Sequence, residues 1–171
     1  MGGDTTPNRA VVQGSGAALK LKAKVVQDEF SRGGDFQHLL LRYTQALITQ
    51  ISQTAVCNRL HAVEQRLCRW LLMTRDRTHS DELQMTQEFI SHMLGVRREG
   101  VTHAAQTLQE EGLISYVRGR ISILDRAKLE ASACECYTVV REEHARLLSL
   151  VDRRRASRRI GTDRRASGSV L

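Results

Sequence analysis

The stretch that decides the fold is LQMTQEFISHMLGVRREGVTHAAQTLQEEGLI, residues 83–114. Its apolar residues follow a helical rhythm that breaks once, at Gly95, and then resumes. Thr86 is a good N-cap, with Gln87 and Glu88 in the first turn where polar and acidic groups suit the helix dipole. Met85 ahead of the cap and Ile90 inside it can close as a hydrophobic staple. This first helix buries Phe89, Ile90, Met93 and Leu94, and ends at a glycine that tolerates the positive φ of a tight turn. A second helix is predicted from about Arg97 to Glu111. Val101, Ala104, Ala105 and Leu108 form its buried face, Gly112 its C-terminal stop, and Leu113 the residue that folds back over the last turn. Ser91 and Ala104 are small enough for close approach of the two helices. Arg98, Glu99, Thr102 and His103 are left on the outer side of the second helix near its start. That is where a recognition helix presents side chains to the major groove of DNA.

Downstream, LISYVRGRISIL alternates around Arg118–Gly119 and predicts a short β-hairpin with Arg118 and Arg120 at or beside its tip. A helix-turn-helix followed by a basic hairpin is a winged helix. Upstream, QHLLLRYTQALITQISQTAVCNRL contains neither glycine nor proline. A stripe runs through Leu40, Thr44, Leu47, Ile51 and Ala55, edged by Leu41 and Ile48, close to the seam spacing of a coiled coil. Too few residues precede this helix to cover the stripe, so pairing with a second copy of the chain is expected. AVEQRLCRWLLMTRDR predicts a shorter amphipathic helix through Val63, Leu67, Trp70, Leu71 and Met73. A weak interruption at Asn58–His61 separates the two helices, and a polar loop is expected at residues 78–82.

The chain has 171 residues, of which 41% are hydrophobic, 4% aromatic and 26% charged, with one proline. That composition is globular and leans helical. No apolar run approaches the length of a membrane span, and the N-terminus has no secretory pattern, so a cytoplasmic protein without a membrane partner is expected. Seven arginines at 153, 154, 155, 158, 159, 164 and 165 face only Asp152 and Asp163, so residues 151–171 hold +5 of the formal +7. This segment reads as a disordered basic tail suited to non-specific phosphate contact. The four cysteines, Cys57, Cys68, Cys134 and Cys136, read as reduced thiols. Cys134 and Cys136 form C-x-C. If that pair lay on a helix its two side chains would not share a face, so no metal ligand set and no cofactor is expected. No nucleophile–base arrangement or phosphate loop stands out, so an enzyme is not expected.

Between Asp35 and Leu148, over two-thirds of the chain, VEQRLCRWLL, the 83–114 stretch and GRISILDRAKLE occur in an order and spacing that resemble the Crp/Fnr family of bacterial transcription regulators. The resemblance implies a mainly α fold: a long dimerisation helix, then a winged helix-turn-helix domain with a small β-hairpin wing. In domain terms, residues 1–35 look like a remnant of a cyclic-nucleotide-binding-type sensor domain, its last strand and following helix falling in 10–34. Residues 36–62 look like the dimerisation helix and hinge, and 63–131 like the DNA-binding domain. Residues 132–150 are expected to form a C-terminal helix and 151–171 the tail. The Gly-rich phosphate cassette of the sensor has no counterpart, so cyclic-nucleotide binding is not carried over.

The family's S-R-E-T-V-x-R pattern falls on Arg97, Arg98, Glu99, Gly100, Val101, Thr102 and His103. Arg98 and Glu99 match its base-reading pair, which suits guanine O6/N7 and cytosine N4. Thr86 and Gln87 match its phosphate contacts. Gly100 stands where the family has threonine, and His103 where it often has a second arginine. The implied function is a sequence-specific regulator, acting as a homodimer on an inverted-repeat operator. Double-stranded DNA is its partner, and RNA polymerase a candidate one. The other readings are a redox- or metal-responsive sensor using the cysteines, and a truncated partner of a full-length relative.

Overall fold

The computed structural model describes residues 5–7, 10–14 and 16–149. The arginine-rich tail at 151–171 lies outside them. The elements in order are α1 (Ala23–Ser31), α2 (Gly34–Leu60), α3 (Val63–Thr78), β1 (Glu82–Gln84), α4 (Gln87–Leu94), α5 (Arg98–Glu110), β2 (Ile114–Val117), β3 (Arg120–Ile123) and α6 (Arg126–Ser132), followed by α7 over 136–149. The fold is mainly helical with one small antiparallel sheet of order β1-β3-β2. Two compact units divide the chain: one holds residues 1–21 and 52–138, the other 22–51 and 139–171.

In the first unit the core takes in most of the residues that the helical rhythm selects, whereas Val63, Trp70, Phe89 and Met93 are only half-buried. Leu67, Leu71 and Leu72 of α3, Ile90 and Leu94 of α4, Val101, Ala104 and Leu108 of α5, Ile114 and Ile121 of the sheet, and Leu129 of α6 are all buried. At about 1.5–3 kcal/mol per fully buried large aliphatic side chain, this cluster is the main stabilising term of the unit. Thr86 caps α4 as expected, its hydroxyl accepting from Phe89 N at 3.2 Å, and Met85 and Ile90 are both buried at the staple positions. At the end of α5, Leu113 N donates to Leu108 O at 2.9 Å and Leu113 is buried, closing the helix as predicted. Asp125 caps α6 by accepting from Lys128 N at 3.0 Å. That charge-assisted bond holds its carboxyl below the usual range.

The hairpin forms with Val117 opposite Arg120 and Tyr116 opposite Ile121. Its two turn residues, Arg118 (φ 48°) and Gly119 (φ 81°), are both left-handed, as the tightest two-residue hairpins require.

The second unit holds α1, α2 up to Ile51, and residues 139–149 of α7. Ala46, Val140 and Leu147 are buried, whereas Leu41, Leu47, Ile48 and Ile51 of α2 are exposed.

Several sequence expectations are corrected. The strand expected within residues 10–34 does not form among the described residues. Leu19 is 98% exposed, and among the described residues there is no neighbouring strand to take its backbone hydrogen bonds. The helix containing the stripe begins earlier and runs on through Asn58 to Leu60, because His61 N still donates to Cys57 O at 3.1 Å. The polar loop expected at 78–82 narrows to 79–81, and β1 follows it unforeseen, its Leu83 pairing with Ile121 of β3 and buried beside it. The C-terminal helix starts at 136, after a turn at 133–135.

Candidate nucleic-acid interface

The first turn of α5 is positioned by its neighbours rather than by a cap of its own. Arg97 occupies the N-cap position without a side-chain capping bond. The turn before it is fixed by Gly95, at φ 62° and ψ 42°, and by Val96 N donating to Ser91 O at 3.1 Å. Arg66 of α3, 7% exposed, donates from its guanidinium to the carbonyl of Leu94, the last residue of α4. A terminal carbonyl that would otherwise lack a partner is thereby satisfied by a charged donor. Arg66 was not singled out from the sequence. Its signal was weak: it is one of several arginines on α3, and nothing in its spacing marks it as buried.

Across the turn, the Thr102 hydroxyl lies 3.0 Å from Gln87 Oε1 and 3.1 Å from the carbonyl of Arg98. Gln87 and Thr102 therefore brace α4 against α5, and both are half-buried. Thr86, Arg97, Arg98 and Glu99 are exposed. Among the described residues no hydrogen bond or ion pair engages the side chains of Arg97, Arg98, Glu99, Arg118 or Arg120. His103 is exposed but turns toward α3, its Nδ1 3.6 Å from Glu64 Oε1.

The wing is tied to the start of α4. Met85 N donates to Gly119 O at 2.7 Å, and the Tyr116 hydroxyl donates to Met85 O at 2.9 Å. Tyr116 N in turn donates to Gln109 Oε1 of α5 at 2.6 Å. Burial pushes the Tyr116 phenol up, and the positive charge of Arg98 pulls the other way, so Arg98 lies within electrostatic reach of the wing. These bonds bring Arg118 and Arg120 to the side of Thr86. Two exposed helix starts and a basic hairpin tip therefore share one face, with the guanidinium groups of Arg98, Arg118 and Arg120 unspent inside the protein.

Residues 65–132 match the family described as the Crp-like helix-turn-helix domain. This part of the chain is a Crp-like helix-turn-helix domain. Among solved structures, the chain is similar to a protein of Eubacterium rectale ATCC 33656 assigned as a transcriptional regulator of the Crp/Fnr family. The identity is 24% and the TM-score 0.50, over 64% of this chain and 51% of that one. The Thermus thermophilus catabolite activator protein also matches, at 20% identity and TM-score 0.36, over 65% of this chain and 46% of that one. The chain thus spans about half the length of the solved structures it matches. No curated protein matches the chain. Among the described residues no helix is long and apolar enough to cross a membrane.

The Crp-like domain accounts for the two-helix core and the wing. It leaves aside a second grouping, outside residues 65–132, that sequence reasoning did not assemble. Cys57, His61, Cys134 and Cys136 lie together, their ligand atoms all within 4.8 Å of one another. Cys134 lies in the turn ahead of α7 and Cys136 is the first residue of that helix, so the pair does not share a helix and the objection that residues two apart face different ways does not apply. Cys68 is buried outside this group, and burial pushes its thiol up to about 12.

Proposed function

We propose that the chain is a sequence-specific DNA-binding transcription regulator that acts as a homodimer on an inverted-repeat operator. The observation that carries this reading is the exposed first turn of α5, where Arg98 and Glu99 have no hydrogen-bond or ion-pair partner among the described residues and stand beside a basic wing. Arg98 and Glu99 read base edges in the major groove, the arginine through two parallel bonds to guanine. Thr86 at the start of α4 contacts phosphate, helped by the free N–H groups of that helix end. Gln87 joins it through its amide nitrogen, since its oxygen is engaged by Thr102. Arg97, Arg118 and Arg120 are backbone contacts that set position but not sequence. His103 and Thr102 are secondary readers, because each already has a protein neighbour. The chain carries out no chemistry. It acts in the cytoplasm, and RNA polymerase is the proposed protein partner of the DNA-bound dimer on the strength of the family resemblance.

Dimerisation is assigned to α2. Leu41, Leu47, Ile48 and Ile51 are 37–59% exposed on a helix of 27 residues, an apolar row that a second copy would cover. Leu47→Glu with Ile51→Glu should convert the dimer to monomer, because unpaired charges are costly in such a seam. A monomeric unmodified chain at micromolar concentration in sedimentation would refute the assignment.

The test of base reading begins with selection of binding sites by the full chain. Arg98→Ala and Arg120→Ala are then compared on the selected site and on scrambled DNA at one fixed salt. Arg98→Ala should lose about 1–3 kcal/mol on the selected site alone. Arg120→Ala should weaken both DNAs equally. Equal losses for Arg98→Ala on both DNAs would reduce Arg98 to a phosphate anchor.

A further inference from the structure

The last turn of α2 and the turn ahead of α7 converge on one point in the first unit. Cys57 and His61 are four residues apart, so a helical turn sets them on the same side. The helical bond from His61 N to Cys57 O keeps His61 in that register although it stands past Leu60. Facing them, Cys134 and Cys136 are held by Tyr137, which is buried and whose hydroxyl donates to Asp76 Oδ2 of α3 at 2.8 Å. The Sγ atoms of Cys57 and Cys134 are 3.5 Å apart, and Cys136 Sγ is 3.7 Å from His61 Nδ1. A disulfide needs sulfurs about 2.05 Å apart. A tetrahedral zinc ion, with Zn–S about 2.3 Å and Zn–N about 2.0–2.1 Å, sets its ligands about 3.5–3.8 Å from one another. These two spacings are those of ligands around a common centre, and all four ligand atoms lie within 4.8 Å of one another.

Two neighbours match the same arrangement. His61 Nε2 lies 3.3 Å from Glu135 Oε1, so Nε2–H donates to the carboxylate and the Nδ1 lone pair is left facing Cys136. Arg69 of α3 is 3% exposed, yet its hydrogen bonds go only to neutral atoms, Thr54 Oγ1 and Met73 Sδ, and its Nε has no partner among the described residues. Its charge is within reach of Cys57. A buried guanidinium without an acidic partner is costly unless a negative group stands nearby. Three thiolates and one neutral imidazole around a divalent cation carry one net negative charge, which supplies it.

We propose that Cys57, His61, Cys134 and Cys136 form a structural zinc site that fastens the end of α2 to the start of α7. Binding releases three thiol protons to solvent and moves no electrons. The ligand set of three thiolates and one imidazole, closed and buried, suits zinc over hard cations, which prefer oxygen, and leaves no open position for catalysis. None of the four ligands is among the residues proposed to contact DNA.

The experiment uses the untagged full chain purified under reducing conditions. Zinc should be retained after desalting at one equivalent per chain. Chelated protein titrated with Co(II) should develop the intense visible bands of tetrahedral cobalt and a near-ultraviolet thiolate charge-transfer band. Cys134→Ser and His61→Ala should lose that spectrum, and Cys68→Ala should keep it. Glu135→Ala, a surface change, should keep the spectrum while affinity for zinc falls about 10–100-fold, the usual effect of losing an outer partner. The wild-type titration decides the matter even where a variant misfolds. Chelated, reduced protein giving only the faint spectrum of octahedral cobalt would overturn the proposal. So would a Cys57–Cys134 disulfide found in protein whose thiols were blocked at lysis.

Discussion

Two glycines five residues apart should respond to alanine with opposite signs. Gly95 ends α4 in the left-handed region, at φ 62° and ψ 42°, whereas Gly100 lies inside α5. A Cβ added at either position meets nothing within 4 Å, so steric contact cannot decide the outcome and only the backbone differs. At Gly100 alanine removes freedom from the unfolded chain and improves helix propensity, which should stabilise by about 0.5–1 kcal/mol. At Gly95 alanine must adopt a conformation that costs an L-residue about 1–2 kcal/mol. The two variants should therefore differ by about 1.5–3 kcal/mol. For a chain of this size each kcal/mol shifts the melting temperature by about 2–4 °C. Thermal melts followed by circular dichroism, at one protein and one zinc concentration, would place Gly100→Ala above wild type and Gly95→Ala below it. If both variants shift in the same direction, the assignment of Gly95 as the left-handed residue of the helix-turn-helix is wrong.

Other outcomes follow from separate parts of the molecule. Removing residues 151–171, which carry seven arginines, should flatten the dependence of DNA affinity on salt without changing the selected sequence; an unchanged slope would make the tail inert in binding. Thr86→Ala should cost about 1 kcal/mol of stability in urea denaturation through loss of the cap to Phe89 N. Asp125 has a depressed pKa, so its ionised cap stabilises the fold above the ordinary carboxyl range near pH 4, and that contribution fades as pH falls through the folded value. Asp125→Asn should therefore melt below wild type at pH 6 and converge with it in melts below about pH 3.

The winged helix was legible because its signals are local. A cap, a staple, a glycine stop and an arginine–glycine hairpin tip each act over a few residues, and each is where the sequence put it. Arg98 and Glu99 were legible as outward residues for the same reason: helical periodicity fixes which side chains cannot be buried. The bracing of Thr102 by Gln87, and the turning of His103 toward Glu64, were not, since both depend on how α3, α4 and α5 pack. β1 was invisible because three residues carry too little alternation to register, and their strand character comes from pairing with β3, which lies 36 or more residues downstream. The cysteine group was missed on a specific premise. C-x-C on a helix points two ways, but Cys134 and Cys136 flank a turn, and their partners stand on a helix that ends 74 residues before Cys134.

Helix α3 shows how the same residue type solves two unlike problems within one turn. Arg66 and Arg69 are both buried, three residues apart, and each has an Nε without a hydrogen-bond partner among the described residues. A guanidinium in a protein interior is tolerated only where something negative or strongly dipolar receives it. Arg66 finds the carbonyl end of α4, where the helix dipole is negative, and so fixes the turn from which α5 departs. The charge of Arg69 is felt at Cys57, and neutral thiols alone give it no such receiver. The asymmetry between the two arginines is the physical reason to expect charge at the cysteine group: the fold has already buried its counter-ion.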